Sequence, residues 1–74
     1  MTQSLKNIII ESLNEYKSWV EADGDSIDLT NVDYKELERD VQEEIDEGTD
    51  KMIVDIIDHL FVQLGHKHYG IKVN

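Results

Sequence analysis

The segment from Met52 to Leu64 constrains the fold most, because its apolar side chains recur at intervals of three and four. This spacing places them on one wide face of an α-helix, which must be buried against other elements. With Thr49 as the candidate cap and Gly65 as the stop signal, we predict a helix from Asp50 to about Leu64 at the centre of the core. The apolar positions are Met52, Ile53, Ile56, Ile57, Leu60, Phe61 and Leu64.

A second helical pattern covers Leu5 to Ala22. Thr2 or Ser4 is the candidate residue to cap its first turn, because a hydroxyl accepts a hydrogen bond from a free N–H there. Asp23-Gly24 is expected to end it, with Gly24 in the left-handed conformation. Its apolar stripe consists of Leu5, Ile8, Ile9, Leu13, Tyr16 and Val20.

A third helical pattern lies between these two, from Tyr34 to Glu47. Asp33 is its candidate cap, and Gly48 stops it. The apolar positions form a narrow seam, so only one edge of this helix is expected to contact the core. They are Tyr34, Leu37, Val41 and Ile45.

Two short stretches alternate apolar and polar residues, as strands do. One runs from Ile27 to Leu29, and the other places Tyr69, Ile71 and Val73 two residues apart. We expect them to pair. The predicted fold is therefore α+β and mostly helical, with three helices and a short two-stranded sheet in the order helix-strand-helix-helix-strand.

The length of 74 residues allows one small acidic domain, residues 1–74. A chain of this size buries only roughly 60% of its unfolded surface, so small scaffolds usually add disulfides, a metal or a partner subunit. The sequence contains no cysteine, which excludes disulfides and thiolate metal sites. A homodimer is therefore expected.

The formal net charge is −10, with 17 acidic and 7 basic residues. This balance argues against direct binding to nucleic acid or to an anionic membrane, because both require a basic surface. No apolar stretch approaches the ~20 residues that span a bilayer, and the N-terminus lacks a signal-peptide pattern. We expect a soluble, cytoplasmic protein.

The negative charge is concentrated in ELERDVQEEIDEGTD, residues 36–50, where eight of fifteen residues are acidic. If the apolar seam faces the core, the helical advance of about 100° per residue puts a row of carboxylates on the opposite side, about 4.5 to 6 Å apart along the axis. That row is Glu36, Asp40, Glu43 and Glu47. Glu44 and Asp46 flank it, and Asp33 and Asp50 extend it past the helix ends.

This arrangement is unfavourable for folding alone. Like charges at such spacings destabilise a helix, and acidic residues near its C-terminus oppose the helix dipole. One interpretation is a solvated face that maintains solubility. The other is that the row imitates the evenly spaced phosphates of DNA and binds a basic groove. A second acidic cluster, Asp23, Asp25 and Asp28, would lengthen the stripe.

The stretch EADGDSIDL is similar to the calcium loop of an EF-hand, with Glu21, Asp23 and Asp25 as candidate oxygen ligands. Ser26 stands at the required glycine position, however, and Val32 at the twelfth position, where the motif has glutamate. An acidic turn between a helix and a strand explains the stretch better, and we expect no calcium site.

Histidines 59, 66 and 68 suggest a metal site with Asp55 or Asp58, but their spacing is weak evidence, and surface or turn histidines are the simpler interpretation. The sequence also lacks a glycine-rich phosphate loop and a recognisable serine-histidine arrangement. We therefore expect no metal, no cofactor and no enzymatic activity.

Two apolar features suggest partner contacts. Trp19 is a candidate for the core or for a dimer interface. Leu60-Phe61 is similar to the apolar pair that ends sliding-clamp-binding peptides, but Ile57 stands where that motif has glutamine. Core packing explains the pair better.

Across its whole length the chain resembles the small, acidic, cysteine-free host-takeover proteins of bacteriophages, several of which are DNA mimics. The resemblance is carried by ELERDVQEEIDEGTD, by DGDSID and by the total length. In length and charge the chain is most similar to the sliding-clamp inhibitors of Twort-like staphylococcal phages. That resemblance implies a dimer that enters the basic DNA channel of the clamp, in the bacterial cytoplasm, and blocks DNA loading and host replication.

The leading hypothesis is therefore a non-enzymatic DNA mimic that binds the bacterial sliding clamp. Its binding residues would be Glu36, Asp40, Glu43, Glu44, Asp46, Glu47 and Asp50, assisted by Asp23, Asp25 and Asp28. Two alternatives stay open. In the first, the DNA mimic binds another DNA-binding protein, such as a nuclease, a nucleoid protein or RNA polymerase. In the second, the chain is a protein-interaction module whose acidic face is merely solvated.

Overall fold

The computed structural model describes residues 4–74 and confirms the predicted α+β order. Three α-helices, one 3₁₀ helix and a two-stranded antiparallel sheet make up these residues. The candidate cap Thr2 lies outside the described residues. The elements are α1 (Leu5–Ala22), β1 (Ile27–Asp28), α2 (Tyr34–Asp46), α3 (Ile53–Leu64), the 3₁₀ helix (His66–Tyr69) and β2 (Lys72–Val73).

The first helix has the predicted bounds. The Ser4 hydroxyl accepts a hydrogen bond from the Asn7 N–H at 3.2 Å, which caps the first turn. After Asp23, Gly24 takes a φ of +90°, a conformation that side chains other than glycine rarely adopt, and the helix ends there. Three side chains of its stripe, Ile9, Leu13 and Tyr16, are buried.

The third helix is the centre of the core, because both α1 and α2 pack against it. It begins at Ile53, three residues later than predicted, since the Thr49 hydroxyl accepts from the Lys51 N–H and stabilises a turn before the helix. Met52 and Leu64, at the two ends of the predicted face, are exposed. The buried residues are Val54, Ile56, Ile57, Leu60 and Phe61.

The C-terminal segment differs most from the prediction. Tyr69 belongs to the 3₁₀ helix and not to the closing strand, because Gly65 and Gly70 at its two ends have φ of +88° and +75° and turn the chain. At Gly70 a Cβ atom would also lie 2.2 Å from the Asn31 carbonyl oxygen, so a larger residue has no room. The turn places the Tyr69 ring in the core, 5.7 Å from the ring of Phe61.

The sheet brings the two distant strands together in antiparallel register, with Ile27 opposite Val73 and Asp28 opposite Lys72. The strands are shorter than predicted. A further backbone bond from Asp33 N–H to the Tyr69 carbonyl, 2.8 Å long, ties the C-terminal segment to the start of α2. Among residues 4–74, no helix is long and apolar enough to cross a lipid bilayer.

Candidate functional site

The orientation of α2 is set by its cap and its apolar side chains. The Asp33 carboxylate accepts from the Glu36 N–H at 3.2 Å, as predicted for the N-terminal cap. Leu37 and Val41 are fully buried, whereas Ile45 near the end of the helix is exposed. The core therefore holds the first part of the helix more closely than the last part.

The carboxylates of the first half of the acidic row contact other side chains of the protein and are only partly exposed. The Asp40 side chain is only 14% exposed, and its Oδ2 accepts a 2.5 Å hydrogen bond from the Tyr69 hydroxyl. Glu36 pairs with the Arg39 guanidinium at 2.5 Å and lies 3.4 Å from the His68 ring. The prediction that Glu36 and Asp40 lie opposite the core is wrong, because the 3₁₀ helix packs against this flank of α2.

The bond between Tyr69 and Asp40 has an electrostatic consequence. Burial raises the pKa of the Tyr69 hydroxyl well above its usual range, and the hydrogen bond to the Asp40 carboxylate raises it further. The phenol therefore stays protonated and donates to a carboxylate, which is the stronger, charge-assisted type of hydrogen bond. This contact holds the C-terminal segment against α2.

A metal ligand set is present on the same flank. Ligand atoms of Glu36, Asp40 and His68 lie within 4.8 Å of one another, the one such group in the part of the chain that the structure describes. The Arg39 guanidinium already brings a positive charge to both carboxylates, at 2.5 Å from Glu36 and 3.8 Å from Asp40. We therefore assign these residues a structural role.

The second half of the row is the exposed part. Glu43, Asp46, Glu47 and Asp50 are all exposed, and Glu44 is half-buried. None of the ion pairs among residues 4–74 includes any of these five carboxylates. One polar contact is present, from the Gln42 amide to Asp46 Oδ1 at 3.0 Å. None of these carboxylates is therefore neutralised by an ion pair within 4 Å among residues 4–74.

The second acidic cluster occupies the turn after α1 and the first strand. Asp23, Asp25 and Asp28 are exposed. Asp28 accepts from the Thr30 N–H at 2.9 Å, and hydrogen bonds from Thr30 lower the pKa of its carboxyl. Within the described residues β1 contacts α1 and β2 but not α2, so Asp28 does not continue the row on that helix.

The other candidate ligands occupy separate environments. Glu21, Asp23 and Asp25 do not gather within metal-binding distance of one another in the described chain. His66 shares a 2.9 Å hydrogen bond with the Tyr16 hydroxyl. Burial raises the pKa of Tyr16, and the nearby Asp58 carboxylate adds to the shift.

The two apolar candidates differ in burial. Leu60 and Phe61 are buried, so the pair packs in the core and is closed to a clamp pocket. Trp19 is 43% exposed, with its ring 6.2 Å from that of Tyr16. It is therefore open to a partner.

Sequence reasoning missed the contact between Tyr69 and Asp40. The two residues are far apart in the chain, and the alternation of apolar and polar residues predicts a strand at Tyr69. Gly65 and Gly70, which bracket the HKHY segment, were the available signal for a turn. Comparison with family models, with curated proteins and with solved structures found no match for this chain.

Proposed function

We propose that this protein is a non-enzymatic DNA mimic that inhibits a DNA-binding protein by occupying its basic groove or channel. The observation that carries the proposal is the unpaired acidic end of α2. There Glu43 and Glu47 lie one helical turn apart, with Asp46 and Asp50 close in sequence. The backbone that carries Glu43 and Asp46 is helical, which limits the ordering cost of binding at these two positions.

The spacing of the α2 carboxylates suits a partner groove lined by several basic side chains better than a single basic side chain. Successive carboxylates on one helix face are about 4.5 to 6 Å apart, whereas duplex DNA carries one charge per about 1.7 Å of axis. The α2 end alone is therefore a sparser stripe than DNA. The exposed aspartates of the α1–β1 turn add further charge, and the net charge of −10 steers the protein toward basic surfaces.

Our proposed target is the bacterial DNA sliding clamp. Support comes from the likeness in length and charge to the clamp inhibitors of Twort-like staphylococcal phages, which implies binding in the DNA channel. Burial of Leu60 and Phe61 agrees with a channel, since these side chains are not free to enter a peptide pocket. In this proposal the protein acts in the bacterial cytoplasm and blocks DNA loading and replication.

We further propose a homodimer, which would double the number of carboxylates facing the channel. Exposed large apolar side chains support a second subunit, among them Trp19 at 43% and Val62 at 79%. Sedimentation at micromolar concentration tests this assembly. We expect the wild type to be a dimer and the substitution Trp19→Ala to weaken that dimer. A monomeric wild type would contradict the proposed assembly.

A pull-down from bacterial lysate, washed at low and at high salt, tests the target. We expect the clamp to be retained at low salt and lost at high salt, because electrostatic attraction weakens with ionic strength. Purified clamp should then bind the protein in competition with DNA. If a different DNA-binding protein is retained, the proposal of DNA mimicry stands, but that protein and not the clamp is the target.

A pair of matched variants tests the site. Glu43→Lys with Glu47→Lys should abolish clamp binding, since both charges face the basic channel. Glu15→Lys with Glu21→Lys makes the same charge change on exposed positions of α1 and should retain most of the binding. Equal losses in both variants would show that net charge, and not the α2 end, governs binding.

A further inference from the structure

The C-terminal segment is the basic counterpart of α2. After Asp58 the sequence contains no aspartate or glutamate, and Lys67 and Lys72 are both exposed. Neither lysine forms an ion pair within 4 Å among residues 4–74, but Lys72 lies opposite Asp28 in the sheet and helps to lower the pKa of that carboxyl. In a chain with a net charge of −10, these two exposed lysines give one short segment a local concentration of positive charge.

Two surface clefts adjoin β2, with volumes of about 340 and 290 Å³. Lys67, Ile71 and Lys72 line both of them. Val73 contributes to the first cleft and Asn31 to the second. The surface along β2 therefore combines concave, partly apolar space with two positive charges.

On the side away from β1, the backbone edge of β2 is open at Val73 only, because the next outward-facing N–H, that of Ile71, donates to the His66 carbonyl at 3.0 Å. Ser26 and Asn74 exchange both backbone hydrogen bonds, at 2.9 and 3.4 Å. The next pair, Ile27 and Val73, is therefore of the non-hydrogen-bonded type, in which N–H and C=O point away from the partner strand. The described sheet has two strands, so no other strand of residues 4–74 pairs with the N–H and C=O of Val73.

We propose that the outer edge of β2 accepts an extended, mildly acidic segment of another protein as a third strand. Main-chain hydrogen bonds to Val73 would hold the segment, and Lys67 and Lys72 would bind its carboxylates. In strand addition the alternate side chains of the ligand enter pockets beside the strand, and the two clefts provide that space. This surface shares no residue with the acidic end of α2 and does not depend on the proposed function.

The charges of Lys67 and Lys72 also favour one kind of binding partner for the edge of β2 over others. A second copy paired through β2 would bring the lysines of both copies together, and like charges across neighbouring strands are destabilising. A polynucleotide has no peptide groups to complete a strand. Because the net charge of −10 opposes any anion at long range, a short segment with few carboxylates suits the edge better than a long acidic one.

Binding of a fluorescein-labelled heptapeptide that alternates glutamate and valine tests the charge requirement by anisotropy. Lys67→Gln with Lys72→Gln should weaken binding about tenfold, as expected for the loss of two exposed ion pairs. Lys35→Gln with Lys51→Gln makes the same charge change at exposed positions elsewhere and should weaken binding far less. Absence of wild-type binding up to about 1 mM peptide, or equal weakening in the two variants, would overturn the proposal.

Val73→Pro tests strand addition itself. Proline removes the outward N–H and leaves the bonds between Ser26 and Asn74 in place, so peptide affinity should fall about fivefold, the value of one hydrogen bond. Val73→Thr keeps the N–H and should bind within about twofold of wild type. Circular dichroism confirms that both variants are folded. Peptide binding unchanged by Val73→Pro, or a dimer abolished by that substitution, would overturn addition of a foreign strand.

Discussion

The two halves of α2 carry the same kind of side chain in different surroundings. In the first half, Asp40 accepts a bond from the buried Tyr69, and Glu36 pairs with Arg39. In the second half, Glu43 and Glu47 are exposed and form none of the ion pairs among residues 4–74. One acidic segment thus contains carboxylates that stabilise the fold and carboxylates that are open to a partner.

The difference follows from what packs beside each half. The 3₁₀ helix contacts α2 and supplies Tyr69 and His68 to its first two turns. In the last turn Ile45 is exposed, and the side-chain hydrogen bond described there comes from Gln42 of the same helix. Acidic residues that violate helix preferences are therefore explained by tertiary contacts in one half only, and the second half retains its functional interpretation.

The largest expected effect separates the halves by stability. Asp40→Ala should lower the free energy of unfolding by about 1–3 kcal/mol, because the buried Tyr69 hydroxyl loses its acceptor. Glu47→Ala, at an exposed position, should change it by less than about 0.5 kcal/mol. Urea unfolding followed by circular dichroism measures both. Equal effects would mean that the halves do not differ.

Alkaline pH should reveal the same contact. The pKa of Tyr69 is raised in the folded protein, so the unfolded chain loses this proton first as pH rises. Stability from this group is complete below the ordinary tyrosine pKa of about 10 and declines above it. Tyr69→Phe should flatten the decline in unfolding free energy above that pH, with Tyr16 responsible for what remains. An unaltered pH profile in this variant would refute the assignment.

The sequence alone does not predict most of this difference between the two halves of α2. The apolar stripes predicted all three helices, and the Ser4 and Asp33 caps are local signals. The position of the 3₁₀ helix depends on glycine turns and on core packing over a long sequence separation. The helical periodicity of α2 alone therefore placed Asp40 opposite the core, although the ring of Tyr69 covers it.

Charge reversal at the two ends of α2 should have opposite signs. Glu47→Lys should raise the free energy of unfolding by about 0.3–1 kcal/mol, because a cation there complements the helix dipole. Glu36→Lys, in the first turn, should lower the free energy of unfolding by a similar amount, and it also removes the ion pair with Arg39. Thermal melts at low ionic strength compare the two. Changes of the same sign would contradict the electrostatic description of the helix.

Arg39→Ala should have only a small effect on stability. Its side chain is 64% exposed, and exposed pairs contribute only about 0.2–1 kcal/mol. Removing the guanidinium leaves Glu36 and Asp40 with more net negative charge, so affinity for a basic channel should rise about threefold. Calorimetric titration of the clamp with this variant measures the gain. Weaker binding would mean that Arg39 itself contacts the partner.

The most direct test of the division compares clamp affinity after each half of α2 is neutralised. Glu43→Gln with Glu47→Gln should weaken binding at least tenfold and reduce its salt dependence, because it removes the carboxylates that face the channel. Glu36→Gln with Asp40→Asn removes the same charge from the first half and should stay within about threefold of wild type. A greater loss from the first-half variant, with both proteins folded, would contradict the account.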